Sequence, residues 1–191
     1  MLNIYHICEK SSALGPGTRF VIWVQGCLQK CKGCITPQSR SLKVRHLVQI
    51  DKLAKSIIND NQINGITISG GEPFLQATNL TKLLRAVKEK RDDLNVIVFT
   101  GYTIEQLLSE KARHLIDCID VLIDGPYLED QRTEKGLRGS SNQRFHFLTE
   151  RLRQYQDDLE NGEKRHEIVV EPDGTHIIGI PPKNLDITKL L

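Results

Sequence analysis

The sequence lacks the features that would place it in or on a membrane. No hydrophobic run approaches the roughly 20 residues that a membrane-spanning helix needs, and residues 1–10 lack the charged-then-apolar pattern of a secretion signal. The 26 Lys and Arg residues nearly balance the 24 Asp and Glu residues, and a net charge of +2 is too small to indicate nucleic acid or a membrane surface as a partner. These absences predict a cytoplasmic protein that binds neither nucleic acid nor membrane.

Cysteine is scarce, with five in 191 residues, and in a reducing compartment these are expected to be thiols or metal ligands rather than disulfides. Cys27, Cys31 and Cys34 form a CxxxCxxC spacing that brings three thiolates within reach of one centre. A structural zinc site and a complete iron–sulfur cluster each usually take four protein ligands. Three close cysteines without an obvious fourth therefore indicate a metal centre with one open position.

The pattern of apolar residues predicts strands that alternate with helices. This alternation is typical of βαβ units and a mainly parallel sheet. The length suits one domain with a real core, but it is too short for a full eight-fold barrel, which takes about 250 residues, so a partial barrel or an open sheet is expected. The predicted strands are 20–25, 66–69, 95–99 and 119–123, and the predicted helices are 48–58, 80–90 and 103–110, the last opened by a capping box at Thr103–Gln106.

Each predicted strand is followed by a loop of unusual composition. The loops are the cysteine loop, Gly70-Gly71-Glu72-Pro73, Thr100-Gly101-Tyr102 and Asp124-Gly125-Pro126. Ligands in such sheets bind at the carboxyl ends of the strands. We therefore expect all four loops to meet at one edge of the sheet.

The tail differs in composition from the rest of the chain. Residues 148–163 are highly charged and predict a helix, and residues 166–170 and 176–180 flank a strong turn signal at 172–175. We expect a core domain of residues 1–148 and an extension of residues 149–191, a helix plus a β-hairpin, packed on the core.

Several motifs, in order, resemble a known family. Gly15-Pro-Gly-Thr-Arg19 precedes the first strand, GGEP and TGY follow the cysteine loop, and Asp124-Gly-Pro-Tyr127 is followed by Arg138-Gly-Ser-Ser-Asn-Gln143. Together with the cysteine spacing, they resemble the radical S-adenosylmethionine (SAM) superfamily and, within it, the activating proteins of anaerobic ribonucleoside-triphosphate reductases. The resemblance implies an α/β fold, a partial (βα) barrel of the radical SAM type, here with a C-terminal extension.

The resemblance also implies cofactors, chemistry and partners. Cys27, Cys31 and Cys34 would hold a [4Fe–4S] cluster whose open iron binds SAM. Reductive cleavage of SAM would give a 5′-deoxyadenosyl radical, which would generate a glycyl radical on a large partner enzyme, expected to be anaerobic ribonucleotide reductase. A one-electron donor such as flavodoxin would reduce the cluster.

The SAM contacts implied by the resemblance lie in the same loops. Gly33 and Ile35 flank Cys34 and would lie against the adenine, while Gly70, Gly71 and Glu72 would bind the amino-acid end. Thr100, Gly101 and Tyr102 would contact ribose or methionine, and Asp124 would help to place SAM or a cation. No catalytic side chain is expected beyond these ligands.

Simpler structural interpretations remain open for these residues. The glycines at 70 and 71 suit an ordinary turn, residues 100–102 suit helix capping, and Asp124-Gly125 is a common turn. The cysteines suit a zinc knuckle with His46 or Cys8 as the fourth ligand, or a plain electron-transfer cluster. Arg19 suits a surface charge, residues 138–143 suit a lid, a partner-facing loop or a plain surface loop, and Cys8 and Cys118 suit the core.

Two rival functions also remain. Residues 35–39 (ITPQS) lack the aromatic, asparagine and tryptophan pattern usual in the family, and the tail is longer than in its compact members. Both departures favour a radical SAM enzyme that modifies a peptide or a small molecule. The other rival is a non-catalytic metal-binding interaction protein.

Overall fold

A mixed β-sheet, with three helices on one face and a shorter helical segment on the other, forms the centre of the molecule. The computed structural model describes residues 1–171 and 174–182. In the described residues the strands are β1 (Leu2–Ser11), β2 (Arg19–Val24), β3 (His46–Val48), β4 (Gly65–Gly70), β5 (Asn95–Phe99), β6 (Val121–Asp124), β7 (Arg144–Phe147), β8 (His166–Glu171) and β9 (Gly174–Gly179). The α-helices are α1 (Ile50–Asn59), α2 (Ala77–Lys88), α3 (Glu110–Ile116) and α4 (Gln156–Asn161).

The first seven strands form one sheet in the order β3-β1-β2-β4-β5-β6-β7. The four central strands β2, β4, β5 and β6 are parallel. Strands β1, β3 and β7 pair antiparallel at the two sides. The prediction of an α/β fold with a mainly parallel sheet is confirmed, and the sheet is open, with β3 and β7 at its opposite edges.

Alternate residues of the central strands face two different layers. On β2, Phe20, Ile22 and Val24 belong to the main core with α1, α2 and α3. Val21 and Trp23 face the other layer, where they are buried together with Ile178 of the tail. Every residue of β2 is buried. This explains why β2 has a continuous apolar run rather than an alternating pattern.

The predicted helix at 103–110 is wrong in its position. The capping box is present, since Thr103 and Gln106 bond reciprocally, but it closes only a single 3-10 turn, Ile104–Gln106. Helix α3 begins later, at Glu110, because the Ser109 side chain accepts a hydrogen bond from the Ala112 amide and forms a second N-cap. None of the helices in residues 1–171 and 174–182 is long and apolar enough to cross a membrane.

The tail contributes a helical segment and a hairpin. A 3-10 stretch, Glu150–Tyr155, leads into α4, and β8 pairs antiparallel with β9. The predicted hairpin is confirmed, although Pro172 and Asp173 of its predicted turn lie outside the described residues, as do residues 183–191 of the predicted extension. Leu152 and Leu159 are buried against β5 and β6, so this segment shares a core with the sheet.

Arg19 is a buried residue and not a surface charge. Its side chain is 0% exposed at the start of β2. It donates hydrogen bonds to Thr67 Oγ1 (2.6 Å) and Ile66 O (2.7 Å) of β4, and to Asn95 Oδ1 (2.6 Å) of β5. Burial lowers the pKa of Arg19 to about 9, an effect that the charge of Asp120 opposes. Arg19 therefore ties together three strand starts at the edge opposite the predicted site.

Candidate metal and cofactor site

The loops that follow β2, β4, β5 and β6 meet at one edge of the sheet around a cavity of about 150 Å³, here called the edge cleft. The cysteine loop, Gly70–Glu72, Thr100–Gly101 and Gly125 all contribute to its lining. The carboxyl ends of parallel strands lie together, so four segments distant in sequence converge there. The topological prediction of a shared edge is confirmed.

The cysteine loop leaves β2 as irregular backbone and is fixed at its base. The Gly26 amide donates to Ser39 O (2.7 Å), the Cys27 amide donates to Arg40 O (3.1 Å), and Gln25 Nε2 donates to Ser41 O (2.6 Å). Cys27, Cys31 and Cys34 are each partly buried, carry free thiols and line the edge cleft. The sequence therefore places three thiols on one anchored loop.

The electrostatics of Cys27 favour a positively charged occupant. Burial raises the pKa of the Cys27 thiol, and the charges of Glu72, Cys31 and Cys34 raise it further, while a hydrogen bond with the backbone of Gln29 opposes the change. Three thiolates and a carboxylate in one cleft repel one another unless cations lie between them. Iron ions of a cluster would supply that charge, so the donor set fits an iron–sulfur centre.

The zinc alternative is not supported by the positions of its proposed fourth ligands. Cys8 lies on β1, where its thiol donates to Lys10 O (3.3 Å), and His46 is exposed on β3; neither lines the edge cleft. Across residues 1–171 and 174–182, no group of three or more His, Cys, Asp or Glu side chains has a ready arrangement for a single metal ion.

The two glycines of GGEP allow two loops to cross. A Cβ at Gly71 would collide with Gly26 O, and Gly70 has φ +102° beside the backbone of β2. The Gly71 amide donates to Val24 O and the Glu72 amide to Gly26 O, each at 2.7 Å. The glycines are therefore needed for contact between the GGEP loop and the cysteine loop, a reason that differs from the predicted binding of the amino-acid end of SAM.

Glu72 is a buried acid held from three directions. Its side chain is 1% exposed and accepts hydrogen bonds from the Phe74 amide (3.0 Å), Thr100 Oγ1 (2.8 Å) and the Gly101 amide (2.9 Å). Burial raises its pKa to about 7 despite these hydrogen bonds. Glu72 lines the edge cleft in a fixed orientation, as a residue that positions a bound cationic group would require.

Asp124 is a predicted site residue that the structure does not bring into the edge cleft. It is fully buried, and its carboxylate accepts hydrogen bonds from the Ile104 amide (2.6 Å) and from Arg144 (2.6 and 3.0 Å), with His146 Nε2 3.0 Å away. Burial raises the pKa of Asp124, but the bonds from Arg144 and Ile104 outweigh it, so the pKa lies below its ordinary value. Its neighbour Gly125 lines the cleft instead.

The other predicted residues divide between the cleft and its rim. Ile35 and Thr100 line the edge cleft. Gly33 has φ +68°, and a Cβ there would press on the Glu129 side chain, so it belongs to the outer side of the loop. Tyr102 packs against the main core rather than lining the cleft.

Residues 138–143 pack against the loop that follows β6 and hold it by hydrogen bonds. Gln143 Oε1 accepts from the Gly139 and Ser140 amides, and Gln143 Nε2 donates to Gly125 O (3.0 Å). Ser140 is fully buried and its hydroxyl accepts from the Leu128 amide (3.1 Å). A plain surface loop is the wrong interpretation of this segment, because Gly139, Ser140 and Gln143 are buried and bond to one another or to the chain's own backbone. A lid or a partner-facing loop stays a prediction.

Sequence reasoning missed an apolar wall of the edge cleft, formed by Leu14, Trp23, Phe99 and Ile180. Trp23 is the next-to-last residue of β2 and Phe99 is the last residue of β5, so their position near the strand ends was an available signal. Ile180 follows the hairpin, and nothing in the sequence pattern indicates that the tail reaches the cleft.

The chain is similar in sequence to known iron–sulfur proteins. Residues 13–146 match the family model described as "4Fe-4S single cluster domain". A Vibrio cholerae protein is 36% identical over 71% of this chain and 91% of its own length, one from phage T4 is 34% identical over 69% and 85%, and one from Escherichia coli K12 is 33% identical over 70% and 91%. All three are named anaerobic ribonucleoside-triphosphate reductase-activating protein.

Proposed function

Since the chain belongs to the family of anaerobic ribonucleoside-triphosphate reductase-activating proteins and to the 4Fe–4S single-cluster family, we propose that it is a radical SAM activase of that reductase. The observation that carries this is the edge cleft, where three thiols meet Gly70–Glu72 and Gly101. We extend the proposal to the fold: the open sheet is the partial (βα) barrel of the radical SAM type, with residues 1–148 as its core and 149–191 as an extension.

The residues of the cleft have distinct roles in this proposal. Cys27, Cys31 and Cys34 hold the cluster, and SAM lies along the cleft-lining residues Ile35, Gly70, Gly71, Glu72 and Thr100. When bound, the cluster and SAM supply reductive cleavage of SAM to a 5′-deoxyadenosyl radical, which generates a glycyl radical on the partner enzyme. In keeping with cofactor enzymes generally, the protein binds, orients and shields.

In this proposal Glu72 positions the ammonium group of SAM, and the apolar wall shields the cleft from water. Because three hydrogen bonds fix the Glu72 carboxylate before a ligand arrives, the residue can accept a hydrogen bond from an ammonium group with little reorganisation. Trp23, Phe99 and Ile180 line the cleft with apolar surface that keeps water from a reactive carbon centre. We further propose a cytoplasmic location and reduction by a one-electron donor such as flavodoxin.

Anaerobic reconstitution with iron and sulfide, followed by SAM and excess dithionite, tests the proposal in two steps. The first measurement is 5′-deoxyadenosine, and the second is the electron paramagnetic resonance (EPR) doublet of a glycyl radical after anaerobic ribonucleotide reductase is added. The matched control is a reductase whose radical-bearing glycine is replaced by Ala, which should give SAM cleavage without the doublet.

The two measurements separate the rival functions. SAM cleavage without a doublet on the unmodified reductase would move the assignment to an enzyme acting on a peptide or a small molecule. A reduced cluster that cleaves no SAM would indicate a non-catalytic metal-binding protein.

A further inference from the structure

Positive charge is concentrated in one part of the chain. Residues 10–50 contain seven Lys and Arg residues and no Asp or Glu. Because the whole chain carries only +2, the rest of it is net negative. The near-neutral total therefore hides a strong separation of charge, and the positive part contains the cysteine loop.

The folded structure brings two of these cations, Lys43 and Arg45, to the base of the cysteine loop, whereas Arg19 is buried at the opposite edge of the sheet and Lys10 pairs with Asp60. The Cys27 amide bonds to Arg40 O, and the space beside Gly26 is filled by the Leu42 side chain, so residues 40–45 run along the base of the loop. Asn3 fixes this stretch, since its side chain donates to Lys43 O (3.2 Å) and accepts from the Arg45 amide (2.9 Å). The positions of Lys43 and Arg45 relative to the cysteines are therefore set by hydrogen bonds.

The resulting patch, here called the basic surface, consists of exposed Lys43 and Arg45 beside exposed Leu42 and Val44, at the base of the cysteine loop. The loop itself carries exposed Leu28 and Lys30, and its Lys32 is paired with Glu129 at 3.3 Å. Apolar side chains exposed at 58–66% and rimmed by charge are typical of a protein-binding site rather than of plain solvated surface.

The basic surface lies on the outer side of the metal ligands. Leu42 lies beside Gly26, the residue before Cys27, so the basic surface adjoins the start of the cysteine loop. The groove outside Cys31 is separate and has mixed charge, with Lys30 and Lys32 on one side and Glu129 and Asp130 on the other. A molecule bound on the basic surface would approach the cluster from outside while leaving the edge cleft open to SAM and the partner's glycine.

We propose that the basic surface is the docking site of the electron donor, an acidic one-electron flavoprotein. This rests on the proposed function. Positive charge on the basic surface favours an acidic partner and increases the rate of association. The exposed apolar side chains between the charges would be buried when the partner binds. In the step served, the reduced flavin gives one electron and the cluster accepts it, and no bond is made or broken.

The binding test compares two double variants with the same change of charge. Lys43→Glu with Arg45→Glu alters the basic surface, and Lys52→Glu with Lys55→Glu alters exposed positions on α1 as the control. Oxidised flavodoxin is the probe, and its Kd is measured with the reconstituted proteins at low and high ionic strength. We expect the first variant to raise Kd about tenfold or more at low salt and the control to change it little.

The activity test separates docking from chemistry. With saturating dithionite both variants should contain wild-type iron and form 5′-deoxyadenosine at the wild-type rate, whereas with reduced flavodoxin only the Lys43/Arg45 variant should be slowed, about tenfold. Equal slowing of both double variants, or of neither, with flavodoxin would overturn the docking site while leaving the proposed function intact. No SAM cleavage by the wild-type protein with dithionite would overturn both.

The reductase itself is the other candidate occupant of this surface. If the Lys43/Arg45 variant bound flavodoxin normally but bound anaerobic ribonucleotide reductase about tenfold more weakly, the electron-donor assignment would be wrong. The same two double variants answer this question when the reductase is the titrant.

Discussion

At the scale of the residue, buried charge distinguishes the two ends of the central strands. Arg19 crosses the strand starts with its hydrogen bonds satisfied, whereas Glu72 lies at the strand ends with its pKa raised to about 7. The first arrangement stabilises the sheet. The second leaves an acid that is costly to ionise until a cation arrives.

Replacing Arg19 by Met should destabilise the protein by more than about 3 kcal/mol, because Thr67, Asn95 and Ile66 O would lose buried hydrogen-bond partners. The measurement is denaturant unfolding of the apo protein. The control is Arg113→Met at an exposed position on α3, which should change the free energy of unfolding by less than about 0.5 kcal/mol. Similar losses in both variants would show that the Arg19 bonds contribute nothing specific.

Glu72 should make the apo protein less stable as pH rises. Its folded pKa of about 7 exceeds the ordinary 4.5, so between these values the folded state binds more protons than the unfolded state. The free energy of unfolding should therefore fall across this window, by on the order of 3 kcal/mol relative to Glu72→Gln. Denaturant unfolding from about pH 5 to pH 8 measures this. Parallel curves for the two proteins would mean that Glu72 ionises normally in the folded state.

At the scale of the element, the hairpin β8–β9 closes one side of the cleft. Ile178 is 1% exposed within the cluster that contains Trp23, and Gly179 and Ile180 line the edge cleft. Glu167 of β8 accepts from the Ser12 amide (2.8 Å) and hydroxyl (2.6 Å), and Arg132 donates to Pro181 O. The hairpin is thus attached to the core by both apolar and polar contacts.

Ile178→Ala should loosen the hairpin, at a cost of about 2–4 kcal/mol, because it removes methyl groups from a buried cluster. Trp23 is the single tryptophan in the sequence, so its fluorescence maximum should shift to longer wavelength as water enters. Ile168→Ala, on the same hairpin but 43% exposed, is the control and should leave the spectrum unchanged. An unchanged spectrum for Ile178→Ala would mean that Trp23 does not depend on the hairpin.

The elements differ in how well their sequences predicted them. The buried parallel strand β5 has the predicted bounds, because a short continuous run of β-branched residues is typical of a strand buried on both faces of a parallel sheet. Strands β1, β3 and β7 were not predicted, because β1 mixes apolar with polar residues and β3 and β7 are only three and four residues long. Their strand structure depends on pairing with neighbours, which no local pattern contains.

At the scale of the whole molecule, the cluster should stabilise the fold as a ligand of the native state does. Reconstitution should raise Tm, by about 2–4 °C for each kcal/mol of binding energy, and iron removal by a chelator should reverse the change. Cys31→Ala should not respond to iron and sulfide. Cys118→Ala, at a buried position of the main core, should respond like the wild-type protein. A Tm increase in Cys31→Ala would exclude that residue as a ligand.

The location of the site was predictable, whereas its detailed contacts were not. The strand-to-loop order alone placed the cysteine loop, GGEP and TGY at one edge. The engagement of Asp124 by Arg144 and the burial of Gln143 depend on residues from 18 to 20 positions away. The partners of Arg19 lie 48 and 76 positions away. Such contacts are set by the tertiary fold and leave no trace in a local pattern.

Because Gly26 and Gly71 cross in direct contact, the cysteine loop and the GGEP loop are mechanically coupled. Since a side chain at Gly71 would strike Gly26 O and the Glu72 amide bonds to that same oxygen, neither loop can shift without moving the other. In the proposed function, filling the cysteine loop with its cluster therefore also sets the shape of the Gly70–Glu72 loop that binds the amino-acid end of SAM, which gives assembly an order. A designer who wished to exchange the second cofactor would have to transplant both loops together.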